Sequence, residues 1–257
     1  MFVAGPGGLI ASLSTVLLQE MERFNKLINV ISHSLEDLQK AIKGEIVMSQ
    51  ELDNMYSSFI NGQVPELWAK VAYPSLKPLF SWFNDLIKRT EFIRDWLTKG
   101  QPITFWLPGF FFPQGFMTGV LQTFARKYKV PIDKLNFGYK VLNQSKESIK
   151  TSPTDGVYIY GLFIEGAQWD KEEKVLADQA PGVMYANLPV IHFVPVADYV
   201  QPGGTYGCPV YKTSVRAGVL STTGQSTNFV VCVDLPSKQP QEYWTLKGTA
   251  ILCQLND

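Results

Sequence analysis

Apolar side chains recur along the first long stretch of the chain at Leu17, Met21, Phe24, Ile28, Ile31, Leu35, Leu38 and Ile42, in alternating steps of four and three. That rhythm places all of them on one face of a helix. Ser12 or Ser14 stands where the helix needs a cap, and Gly44 stands where it should stop. The stripe reads either as a coiled-coil seam or as a face packed within the molecule. The helices that follow at once favour the second reading. Leu17, Met21, Phe24, Ile28, Ile31 and Leu35 are therefore expected to form a core or docking stripe.

Ser49 opens a second helix through Leu52, Met55, Tyr56 and Phe59, stopping at Asn61-Gly62. Pro65 starts a short one with Leu67 and Trp68. Ser75 is placed to cap a longer helix whose apolar side carries Leu79, Phe83, Leu86, Ile87, Phe92, Ile93, Trp96 and Leu97, ended by Gly100. Pro78 then falls in a first turn, where proline is tolerated. Ile103 to Leu107 is a short extended segment closed by Pro108-Gly109. Gly115 to Lys129 is amphipathic again, with Met117, Val120, Leu121 and Phe124 inward. Its cations Arg126, Lys127 and Lys129 sit near the C-terminus, where the helix dipole favours them.

Past Pro131 the pattern becomes β. Leu135–Leu142, Val157–Ile164, Val190–Val196, Val210–Val215, Phe229–Leu235 and Thr245–Leu252 are apolar or alternating runs. Turn clusters such as 152–156 and 201–204 separate them. The expected fold is α+β: an N-terminal α-helical bundle over 9–132, then a small antiparallel barrel or sandwich of about six strands over 133–257. Residues 1–8 read as a linker.

Composition narrows the class. Apolar residues make up 46% of the sequence and charged ones 18%, below the roughly 25% of an average soluble domain. This argues against disorder and for a surface that lies largely against something else. Lys plus Arg and Asp plus Glu balance at 23 each, so no net field draws the protein to nucleic acid or an anionic membrane. No charged residue occurs from Gln101 to Ala125, but Pro102, Pro108 and Pro113 break any spanning helix there. A buried strand-turn-helix is the expectation. Cys208, Cys232 and Cys253, with no CxxC pair, read as reduced core thiols. The tripeptide Asn143-Gln144-Ser145 fits a glycosylation sequon, but no secretory signal accompanies it.

Candidate chemistry is sparse. The glycines of 203–207 lead into β-type sequence without the lysine of a phosphate loop, and read as a turn. Of the two histidines, His33 sits among serines beside the apolar stripe and His192 lies inside a strand. A Cys208–His192–Asp198 triad has no support in spacing or motif. Two histidines and unpaired cysteines make a zinc site improbable. Glu36-Asp37 and Glu172-Glu173 lie on charged, solvated faces. The aromatic cluster Phe105, Trp106, Phe110, Phe111, Phe112 and Phe116 lacks the interleaved basic residues that base stacking needs, and reads as core. No catalytic residue, cofactor site or metal site is expected.

Longer segments resemble a known family. Leu18-Gln19-Glu20-Met21 with Arg23-Phe24-Asn25, the Tyr73 to Leu79 segment, Phe105-Trp106-Leu107 with Gly109 to Pro113, and Thr118 to Gln122 are similar to the C-terminal domain of dynein heavy chains. In the second half the likeness runs through Asp155 to Tyr158, Gly161 to Ala167, Cys208 to Thr213, Ser221 to Gly224 and Leu252 to Leu255. The Cys-Pro-Val-Tyr-Lys-Thr and Ser-Thr-Thr-Gly segments resemble axonemal heavy chains more than the cytoplasmic one. Gln225 departs from the histidine expected in many axonemal relatives.

The resemblance implies a helical bundle followed by a small β-barrel, without the family's ATP sites or microtubule-binding stalk. It implies a module lying on the AAA+ ring of the same heavy chain and modulating force, processivity and ATPase coupling in a cilium or flagellum. Microtubules would be met only indirectly. The second functional class left open is an autonomous interaction domain for a separate protein such as a light chain.

Overall fold

The heptad-patterned stretch is a helix of 31 residues, α1 (Ser12–Ile42). Its start differs from the expectation. Ala11 is the N-cap residue, no hydroxyl or amide side group caps the helix, and Ser12 is buried inside the first turn. A capping hydroxyl must come from the residue before the first helical one, and both serines lie past that point. The end is as the sequence indicates. Gly44 takes a φ of +76°, and the Glu45 N–H reaches back to the Lys40 carbonyl at 2.9 Å.

In α2 (Gln50–Ile60), the Ser49 hydroxyl accepts the Leu52 N–H at 3.3 Å. One turn, α3 (Glu66–Ala69), follows. The next helix, α4 (Leu79–Lys99), begins later than expected, with Pro78 as N-cap. Ser75 is spent on a local turn instead, accepting the Lys77 N–H at 3.3 Å. A strand, β1 (Thr104–Trp106), and a 3-10 turn lead into α5 (Pro113–Tyr128), whose first turn takes the proline. The uncharged stretch is thus strand, turn and helix. Among the described residues no helix is long and apolar enough to cross a membrane.

The computed structural model describes residues 11–216 and 227–257. The segment 1–8, the Ser221 to Gly224 motif and Gln225 lie outside the described residues. The second half holds β2 (Leu135–Val141), β3 (Val157–Tyr160), β4 (Phe163–Glu165), β5 (Gln168–Asp170), β6 (Val175–Ala177), β7 (Tyr185–Asn187), β8 (Ile191–Ala197), β9 (Thr205–Tyr211) and β10 (Phe229–Pro236). A short helix, α6 (Gln241–Leu246), and β11 (Ala250–Leu252) complete it.

The expected antiparallel barrel does not close. Among the described residues the strands form an open sheet in the order β1-β3-β8-β2, a second in the order β10-β9-β11-β4-β7, and the hairpin β5-β6. Both larger sheets are mixed, since β1 runs parallel to β3 and β11 parallel to β9. The cause is local. The run 157–164 breaks at Gly161, which has a φ of +84° and where a Cβ would lie 2.5 Å from the Trp106 ring. Only glycine fits there, and the turn sends β3 and β4 into different sheets.

Strand β1 comes from the helix-rich part of the sequence, yet it is an edge of the four-stranded sheet. One cluster of buried side chains extends from Leu13 to Cys253. Helices α1 and α5 approach so closely that a Cβ on Gly119 would lie 2.7 Å from Val16 Cγ2. The end of α5 is tied to the loop before β3, where Lys127 Nζ and Tyr128 Oη reach the Asp155 carboxylate at 2.7 and 2.8 Å.

Candidate docking surface

The six stripe residues of α1 divide between two environments. Leu17, Phe24 and Ile31 are buried, as is Leu38 one heptad further on. Met21 and Leu35 are only partly covered, and Ile28 and Ile42 are 42% and 60% exposed. The flank that completes the buried face is the other one: Glu20, Leu27, Ser34 and Ala41. The core side of α1 is therefore turned by one residue from the predicted stripe.

Two polar residues sit on that buried flank because their neighbours bond them. The Glu20 carboxylate accepts the Phe111 and Phe112 N–H groups at 2.5 and 3.0 Å, with Arg23 Nη1 at 3.6 Å. Burial raises the Glu20 pKa above the usual 4.5, while the two backbone donors and Arg23 pull the other way. Ser34 Oγ accepts the Trp68 indole N–H at 2.9 Å and donates to the Ile31 carbonyl at 3.0 Å. Each is a buried polar group with hydrogen-bond partners, which offset part of the desolvation cost.

Helix α4 behaves in the same way. Its buried face is Trp82, Asp85, Leu86, Arg89, Ile93 and Trp96. Arg89, 1% exposed, donates to Asp85 Oδ2 at 2.6 Å and to the Phe110 carbonyl at 3.3 Å, and its guanidinium lies 3.8 Å from the Tyr73 ring centre. The opposite side carries a line that periodicity alone assigns in part to the core. Leu76, just before the helix, and Phe80, Phe83 and Ile87 within it follow one another in steps of four and three. All four are exposed, Phe80 to 79%. The signal is present in the sequence, because these residues repeat at helical spacing. Among the described residues only one of the two apolar sides of α4 is covered.

The remaining candidates lie in separate surroundings. His192 Nε2 lies 2.9 Å from the Asp155 carbonyl, and its ring rests against Tyr158. Cys208 is buried in the five-stranded sheet, whereas His192 belongs to the four-stranded one. Cys253 is also buried, and burial pushes its thiol up to about 12. Cys232 corrects the core expectation: it is exposed on β10. The Asn143 side chain is engaged, donating to the Lys171 carbonyl at 2.6 Å and accepting the Trp169 indole N–H at 3.0 Å. Among the described residues no group of three or more His, Cys, Asp or Glu side chains is placed to hold a metal.

Among the described residues a helical layer with outward apolar lines is joined through β1 to open mixed sheets. The sequence model of the C-terminal domain of dynein heavy chains matches residues 4–253, and the protein belongs to that family. It is 50% identical to dynein axonemal heavy chain 6 of Homo sapiens, over 100% of the present sequence and 7% of the relative. It is 51% identical to dynein axonemal heavy chain 1 of Rattus norvegicus, over 95% of the present sequence and 5% of the relative. With dynein axonemal heavy chain 12 of Homo sapiens the identity is 49%, over 96% of the present sequence and 8% of the relative. The sequence thus spans less than a tenth of the length of these curated relatives.

Proposed function

We propose that this protein is a non-catalytic regulatory module of an axonemal dynein heavy chain, working in the axoneme of a cilium or flagellum. It lies against the AAA+ ring of the same heavy chain and modulates force, processivity and the coupling of ATPase activity to microtubules. ATP turnover and microtubule attachment belong to the larger part of the motor. The observation that carries this reading is a pair of heptad lines left exposed or half-covered. One is Leu76, Phe80, Phe83 and Ile87 along α4 and its approach, and the other is Met21, Ile28, Leu35 and Ile42 on α1. Apolar surface in such continuous lines marks an interface. A covering module acts on a motor only through contact free energies that differ between the motor's states.

The test is a full-length motor bearing Ile28→Asp and Phe80→Asp, compared with wild type. ATP binding and microtubule attachment are expected to persist. Stall force, run length or microtubule-stimulated ATPase should change, with the affected equilibrium moving by roughly 5- to 150-fold, as for ordinary allosteric couplings. Identical motility in both proteins would remove docking through these lines. Complete loss of ATP turnover would make the module part of the ATPase itself.

A further inference from the structure

We propose that a cleft between α4 and β1 binds a short acidic peptide segment of a separate protein. The segment seats an aromatic side chain against Trp106 and Tyr160 and places carboxylates on Lys88 and Lys146. This site is distinct from the exposed lines of α1 and α4 and does not depend on their role.

The cleft has a volume of about 680 Å³, within the size range of ligand sites. One wall is the C-terminal half of α4, from Lys88 to Gly100, and the other is the segment 101–104 with Trp106. Its aromatic side is rigid. The Trp106 ring meets Phe92 edge-on at 6.2 Å. It is also held against the backbones of Gly109 and Gly161, where an added Cβ would lie 2.5 Å from it in each case. Tyr160 pairs with Trp106 across the β1–β3 ladder, so the two side chains share one face of the sheet. Both are half-buried, leaving ring surface towards the cleft.

The charges choose the ligand. Two carboxylates line the cleft, and both have cation partners: Asp95 with Lys99 at 2.9 Å and Glu91 with Arg94 at 3.8 Å. Lys88 is exposed and makes no ion pair among the described residues, and Lys146 has only Glu147 at 3.9 Å. Lys146 Nζ lies 4.4 Å from the Tyr160 ring centre, holding a cation beside the aromatic surface. The uncommitted charge is therefore positive. A polyphosphate is disfavoured, because the α4 end at Gly100 is a helix C-terminus, whose dipole repels anions close to it. The carbonyls of that last turn suit peptide N–H donors instead. Carboxylates on an extended peptide reach the lysines without approaching the helix end, while the peptide's amides do approach it.

The experiment uses the 257-residue polypeptide and a fluorescein-labelled peptide with one tryptophan flanked by glutamates, followed by fluorescence anisotropy. Saturable binding is expected, with a Kd on the order of 10–100 μM, an ordinary strength for a short linear segment. Lys88→Glu combined with Lys146→Glu should weaken it at least tenfold, and raised salt should weaken it as well. Lys26→Glu with Lys40→Glu, on α1, should leave the affinity unchanged. A peptide with lysines in place of the glutamates should not bind. No saturable binding, equal loss from both lysine pairs, or displacement by tripolyphosphate at the peptide's own concentration would each overturn the proposal. The first leaves no site, the second a diffuse field and the third a general anion patch.

Discussion

Glu20, Leu27, Ser34 and Ala41 run down one flank of α1 and are buried, while Met21, Ile28, Leu35 and Ile42 run down the other and are half-buried or exposed. By residue type alone the second flank is the more apolar. The difference lies in the neighbours. The first flank meets the Phe111–Phe112 backbone and the Trp68 indole, which supply donors for a carboxylate and a hydroxyl. The second meets no comparable element among the described residues. Burial of a helix face is thus set by which surface has a complementary partner, not by its apolar content alone.

The largest break in this comparison comes at the seam that both flanks share. Phe24→Asp puts an unpaired charge among Tyr73, Phe111 and the α1 core. It should cost more than about 4 kcal/mol, seen as loss of cooperative thermal unfolding. An unchanged melting curve would mean that the seam is solvated.

On the buried flank, Glu20→Ala leaves the Phe111 and Phe112 N–H groups without acceptors and should destabilise by about 1–3 kcal/mol in chemical denaturation. The same residue sets a pH dependence. A carboxyl whose folded pKa lies above its unfolded value of 4.5 contributes stability that is complete below 4.5. That contribution is lost as pH rises through the folded value. Denaturation followed as pH rises above 4.5 should show this fall in the wild type, and Glu20→Gln should flatten it. Ser34→Ala, which removes the acceptor of the Trp68 indole, should cost about 1 kcal/mol.

The smallest effect belongs to the other flank. Ile28→Asp should change the unfolding free energy of the isolated module by less than about 0.5 kcal/mol, as surface substitutions do. A loss comparable with that of Phe24→Asp would show that the flank is covered within the module and end the contrast.

Much of this arrangement is legible in the residue pattern. The rhythm of α1 locates its seam at Leu17, Phe24, Ile31 and Leu38, and Ser49 and Gly44 mark helix ends correctly. What periodicity does not give is the flank, because positions 20 and 21 stand equally far from the seam and only tertiary neighbours distinguish them. The sheets are less legible. Strands β5, β6 and β7 have three residues each, too short for alternation to register. Strand β9, expected from Val210, begins at Thr205, because Gly207 and Pro209 are poor strand formers and hide its first half. Pro209 is tolerated since β11 pairs only with Val210 and Tyr211. The run from Thr245 reads as one strand but is two elements, since Pro240 opens α6 and Gly248, at a φ of +66°, separates it from β11. The cleft beside β1 has no sequence signal, as its walls come from three separate stretches of polypeptide.

The position of β11 has a consequence for how the protein is made. Residues 250–252 form the central strand of the five-stranded sheet, hydrogen-bonded to β9 on one side and β4 on the other. The Gln254 side chain then donates to the Pro74 carbonyl, 180 residues earlier in the sequence. During synthesis the helices emerge and collapse first, but the sheet lacks its middle until Leu252 has left the ribosome. Non-local pairings of this kind close slowly, so until then the nascent polypeptide holds the facing sides of β4 and β9 as unpaired edges. Deleting residues 250–257 would leave those edges open, and the resulting protein is expected to aggregate.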